Sequence, residues 1–124
     1  MKILIVDDSS FARRSVMKFL KRDFPDAEYL MAENGEEGLA LFFSDNPDFV
    51  VLDLLMPIID GSEFVERLGE KKETGKIIVL SADVQEKVKT QLLEKGILDF
   101  INKPINAPKA AEVAEKMRTV YAGS

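Results

Sequence analysis

The sequence predicts an α/β fold in which five parallel strands are wound with helices on both faces. Three observations carry this reading. Short apolar runs rich in β-branched residues recur along the chain, as expected of strands buried on both sides. Each run is followed by a segment whose apolar residues return at helical spacing. Every strand-to-strand connection is long enough for a right-handed crossover, which a parallel sheet requires. The chain has 124 residues, close to the usual size of one domain, and shows no internal repeat, low-complexity segment or linker.

The first strand is predicted over residues 3–6, Ile-Leu-Ile-Val, and ends in Asp7-Asp8-Ser9-Ser10, where a hydroxyl or carboxylate can cap a helix. That helix is predicted over 11–22, with Ala12, Val16, Phe19 and Leu20 on one face and Pro25 closing it. A weaker strand follows at 28–32. Asn34-Gly35 then turns into a helix with Leu39, Phe42 and Phe43 at core spacing, stopped by Asn46-Pro47. The second strong strand, 49–52, ends at Asp53, and after a loop a short helix carries Phe64, Val65 and Leu68. The third strong strand, 77–80, ends at Ser81. Its helix is predicted over 84–95, with Val84, Val88 and Leu92 spaced by four and Gly96 as the stop. A last strand, 98–101, leads through Asn102-Lys103-Pro104 into a helix that lines up Ala110, Val113, Ala114, Met117, Val120 and Tyr121.

Composition excludes several chemistries. There is no cysteine and no histidine, so disulfides, thiolate or imidazole metal sites and Ser-His-Asp catalysis are ruled out. Carboxylates, hydroxyls and amines remain. The net charge of −5, from 22 acidic and 17 basic residues, argues against a nucleic-acid surface. No apolar run approaches membrane length, and a cytoplasmic location is expected.

In an open parallel sheet, ligands bind beyond the carboxyl ends of the strands, where strand order reverses. The residues just past those ends are Asp7 and Asp8, Asp53, Ser81 and Lys103. Each has a plain explanation alone, as a cap, a turn residue or a solvated charge. Together they bring three carboxylates, one hydroxyl and one ammonium to a single edge. Two carboxylates ~4 Å apart repel by about 4 kcal/mol at an effective dielectric near 20. A hard divalent cation such as Mg²⁺ relieves that repulsion, taking one or two carboxylates plus a phosphate. The lysine and the hydroxyl suit the remaining phosphoryl oxygens.

These residues make the chain resemble the receiver domains of two-component response regulators, above all the stand-alone chemotaxis type. The resemblance rests on Val6-Asp7-Asp8, Val51-Leu52-Asp53 with Met56-Pro57 and Asp60-Gly61, Leu80-Ser81-Ala82, and Lys103-Pro104. It covers the whole chain, and implies one receiver domain over residues 1–124 without an output domain. The implied fold is flavodoxin-like, (βα)5, with strand order 2-1-3-4-5.

By the same resemblance, Asp53 accepts a phosphoryl group from a sensor histidine kinase, a phosphotransfer protein or a small acyl phosphate. Asp8 would bind Mg²⁺ directly and Asp7 through water, with Asp53 and the backbone carbonyl of Leu55 completing the protein ligands. Ser81 and Lys103 would hold the other phosphoryl oxygens, and the Lys103-Pro104 peptide is often cis. The domain would catalyse its own phosphorylation and dephosphorylation while serving as a switch rather than a conventional enzyme. Ser81, drawn toward the phosphate, would vacate space that Phe100 can enter, changing the helix 4, strand 5 and helix 5 surface for a downstream protein target. Phe100 lacks the hydroxyl of the tyrosine that is common there, so its coupling would rest on packing.

Leu55 and Asp83 depart from the family at positions flanking the phosphoryl group. The expectation is that Asp83 disfavours anionic donors and that Leu55 shields the phosphate from water. Chemotaxis or motility control is the leading pathway; a phosphorelay intermediate, a phosphate sink and a phosphorylation-independent scaffold are the alternatives. A nucleotide or flavin module is disfavoured because Asp7-Asp8 replaces a glycine-rich phosphate loop. A haloacid-type phosphatase is disfavoured because Leu55 stands where a second acid belongs.

Overall fold

The computed structural model describes residues 1–56, 60–82 and 85–122. Pro57, Asp83 and Val84, which the sequence reading singled out, lie outside them. Among the described residues the strands are β1 (Lys2–Val6), β2 (Glu28–Ala32), β3 (Phe49–Leu52), β4 (Ile77–Ser81) and β5 (Asp99–Asn102). All pair in parallel, in the order β2-β1-β3-β4-β5. The fold is therefore the doubly wound, flavodoxin-like one that the sequence predicts.

Register explains why polar residues meet at one rim. Val6 lies opposite Leu52, so Asp7 and Asp53 leave the sheet side by side. Ser81 lies opposite Asn102, which brings Lys103 out beside Ser81. Backbone bonds carry the ladder just past the strands: Asp53 N–H donates to Val6 O at 3.0 Å and Lys103 N–H to Ser81 O at 2.9 Å.

The helices are α1 (Ser10–Leu20), α2 (Gly35–Asp45), α3 (Gly61–Glu70), α4 (Glu86–Glu94) and α5 (Ala107–Ala122). Ser9, Asn34 and Asp60 accept from the backbone N–H three residues on, so each caps the start of its helix. Asn46, at φ 49°, ends α2 in the left-handed conformation. Alternate strand positions feed two cores. Leu4, Val6, Val50, Leu52, Ile77 and Val79 face α2, α3 and α4. Ile3, Ile5, Val51, Ile78, Leu80 and Ile101 face α1 and α5. Each fully buried side chain of this size contributes roughly 1.5–3 kcal/mol.

Some boundaries differ from the sequence reading. Helix α1 stops at Leu20, and residues 21–24 continue as tight turns, which bring Phe24 back onto the core. Phe43, expected at core spacing, points to solvent at 56% exposure, while Phe42 beside it is buried. The apolar stripe of α5 is buried through Met117, but Val120 and Tyr121 are exposed. The final turn has reached the start of β3, where Tyr121 packs its ring 6.5 Å from that of Phe49. Strand β5 begins at Asp99 rather than Leu98, although Leu98 N–H already bonds Ile77 O.

The start of α3 is pressed onto the turn that follows Asp53. A Cβ on Gly61 would lie 2.5 Å from Leu54 Cα and 2.6 Å from Asp53 O. Both are backbone atoms that cannot swing aside. Gly61→Ala is expected to destabilise the protein by about 1–3 kcal/mol, the range for overpacked sites, read as a lower urea midpoint. An unchanged midpoint would show that this close approach is not a constraint.

Candidate functional site

Asp7 and Asp53 follow adjacent buried strands and are themselves only 4% and 6% exposed, whereas Asp8 is exposed. One carboxylate oxygen from each of Asp7, Asp8 and Asp53 lies within 4.8 Å of the other two. The Lys103 ammonium sits 2.8 Å from Asp7 Oδ2 and 3.6 Å from Asp53 Oδ2. Ser81 Oγ donates to Asp53 Oδ1 at 3.2 Å, and the Leu55 N–H reaches the same oxygen at 3.4 Å. The Lys103-Pro104 peptide is cis. All five polar residues predicted for the site therefore meet at one place.

Three carboxylates face one ammonium, so negative charge is left over. Burial pushes the Asp53 carboxyl above its usual range and the Asp7 charge adds to this; Lys103, the Leu55 N–H and the Ser81 hydroxyl oppose it. Burial lowers the proton affinity of Lys103, but its hydrogen bond to Asp7 and the two carboxylate charges outweigh that and raise it overall. Lys103 is thus held as a cation. The donor set is all oxygen, and one member, Asp8, opens to solvent. This arrangement fits a small hard divalent cation.

Leu54, Leu55, Met56, Asp60 and Ala82 line an open cleft of about 480 Å³ beside Asp53. Leu55 is 69% exposed on its rim, and across the site Phe11 of α1 is 74% exposed.

The model of the response regulator receiver domain matches residues 3–115. The chain belongs to that receiver domain family. Chemotaxis protein CheY of Listeria monocytogenes is 36% identical over 116 residues, covering 94% of this chain and 97% of its own. Transcriptional regulatory protein ResD of Bacillus subtilis is 40% identical over 107 residues, covering 85% of this chain but 42% of its own. Among solved structures, the N-terminal domain of an uncharacterized Wolinella succinogenes protein superposes with a TM-score of 0.85, at 32% identity over 99% of this chain and 98% of its own. A CheY-like receiver from Methanospirillum hungatei reaches 0.86 at 25% identity, with 99% and 98% covered. No helix among the described residues is long and apolar enough to cross a membrane.

Phe100, predicted as the switch aromatic, packs inside the domain. It is buried at 6% exposure in the α2–α4 core, with the Lys89 ammonium 5.8 Å from its ring centroid. Sequence reasoning missed three features. The firmest partner of Lys103 is Asp7 rather than Asp53. Lys89 covers Phe100. Arg13 donates from Nη1 to the backbone carbonyl of Asp7. Helical side chains lean toward the helix N-terminus, so an arginine in the second turn was the available signal for the last contact.

The raised Asp53 carboxyl has a consequence for stability. The folded protein holds that proton more tightly than the unfolded chain, whose carboxyl titrates near 3.9. Stability is therefore lost as pH rises through that range, and the loss is complete once folded Asp53 ionises. In Mg²⁺-free buffer, Asp53→Asn is expected to be more stable than wild type at pH 7. The difference should shrink in urea melts toward pH 4. A less stable variant at pH 7 would contradict the electrostatic account.

Proposed function

We propose that this receiver domain accepts a phosphoryl group on Asp53 and thereby switches the surface it offers to a partner protein. The observation that carries this reading is the contact of both the Lys103 ammonium and the Ser81 hydroxyl with the Asp53 carboxylate, beside Asp7 and Asp8. An Asp53 oxygen attacks phosphorus in line. A P–O bond forms to the carboxylate as the bond to the donor's imidazole nitrogen or acyl oxygen breaks, and the donor keeps that electron pair. Lys103 and Ser81 are placed to meet the phosphoryl oxygens as charge moves onto them.

Mg²⁺ is the proposed cofactor: Asp8, Asp53 and the Leu55 carbonyl would hold it with Asp7 beside them, and it would neutralise charge on the transferring group. Hydrolysis of the acyl phosphate by water returns the carboxylate. Ser81 Oγ faces Asp53 while Phe100 is buried, the pairing that the switch reading couples. The signal would leave through α4, β5 and α5. A histidine kinase or phosphotransfer protein is the proposed donor, and a protein target the proposed receiver, in the cytoplasm. Chemotaxis is the pathway favoured by the Listeria relative, whose length the chain spans almost entirely.

Incubation with acetyl phosphate and Mg²⁺ is expected to label wild type at one site, and to label neither Asp53→Asn nor wild type in EDTA. Labelling that persists in Asp53→Asn would overturn the assignment; no labelling of wild type would favour a scaffold that works by contact alone. Because Leu55 stands exposed beside the acceptor, Leu55→Asn is expected to shorten the phosphoryl half-life severalfold. An equal or longer half-life would remove the shielding role. Asp83, the other flanking residue, lies outside the described residues.

A further inference from the structure

We infer that Arg13 is a positioning residue that aims the Asp8 carboxylate at the cation. This rests on the metal-site reading given above. The polar atoms of Asp7 are held on every side. Its N–H donates to Ala32 O at 3.1 Å, its Oδ1 accepts from the Ser9 N–H at 2.9 Å, and its Oδ2 accepts from Lys103 at 2.8 Å. Its carbonyl accepts from Arg13 Nη1. Asp8 differs: it is exposed, and among the described residues no hydrogen bond or ion pair holds its carboxylate. What its neighbours hold is its backbone, which sets where the carboxylate can reach.

The Asp7 carbonyl and the Asp8 N–H belong to one rigid peptide plane. Arg13 fixes that plane, and the Ser9 N–H, tied to Asp7 Oδ1, fixes the chain on the far side of Asp8. Between these two anchors little backbone freedom remains to Asp8. Arg13 is half-buried in the second turn of α1, so the anchor is itself carried by a packed helix.

Charge and position make opposite demands, which renders the inference testable. As a cation beside the acidic rim, Arg13 repels Mg²⁺, so neutralising it should tighten binding if charge were its only effect. If Arg13 aims Asp8, neutralising it should weaken binding. Mg²⁺ titration calorimetry on the folded full chain separates the two. Arg13→Met is expected to bind Mg²⁺ about tenfold more weakly, the low end for groups that orient metal ligands, and Arg13→Lys to recover most of the loss. A merely structural role would lower the metal-free unfolding midpoint and leave Mg²⁺ affinity untouched.

Unchanged or tighter Mg²⁺ binding by Arg13→Met, with normal wild-type binding, overturns this inference alone. Absence of binding by wild type overturns the metal reading and this inference with it. Should Arg13→Met fail to fold, the unmodified protein still decides. Separate, slowly exchanging Nη–H signals of Arg13 support the anchor, and a single averaged signal overturns it.

Discussion

The architecture turns on the enforced proximity of the Asp7 and Asp53 carboxylates beside Asp8, with the Lys103 ammonium paired to the first two. Asp7 and Asp53 cannot relax apart, because each is the next residue after an apolar strand locked in register by its neighbours. Moving either would expose part of a core that holds the whole fold together. Repulsion at the rim is therefore tolerated rather than relieved, and burial of Asp53 sharpens it. Lys103 offsets part of it, lying closest to Asp7 and farther from Asp53. That leaves Asp53 oriented but only partly neutralised.

Much of this arrangement was legible in the sequence because it follows from periodicity and strand ends. The apolar runs at β1, β3 and β4, buried on both faces, were unambiguous, and the residues after them had to share an edge. The parts that were not legible depend on side-chain reach across elements. Arg13 looks like any solvated helix arginine until α1 is seen packed with its second turn over the β1 end. Phe43 and Phe42 have nearly equivalent spacing, and only the fit of α2 to the sheet buries one and exposes the other. Likewise Val120 and Tyr121 continue the α5 stripe, yet the sheet gives them no more than its beginning to pack on.

Stability is spread unevenly around the sheet. Helices α1, α2 and α3 each begin with a side-chain cap. Among the described residues α4 has no such cap, and only Leu92 of it is buried. Val88 of α4 also packs against the core. Lys89 rests over the Phe100 ring, and at the far end the Thr74 hydroxyl donates to Lys95 O at 2.8 Å. Elements with few buried contacts open at lower free energy, so α4 is expected to open more readily than the capped helices.

The most direct measurement is a titration of the metal-free protein with Mn²⁺ as a paramagnetic stand-in for Mg²⁺, followed residue by residue in its NMR spectrum. The account predicts saturable broadening confined to the backbone around Asp7, Asp8, Asp53 and Lys103, reversed by excess Mg²⁺. Broadening centred on other acidic surfaces, such as Glu36 and Glu37 at the start of α2, with the rim unaffected, would contradict it.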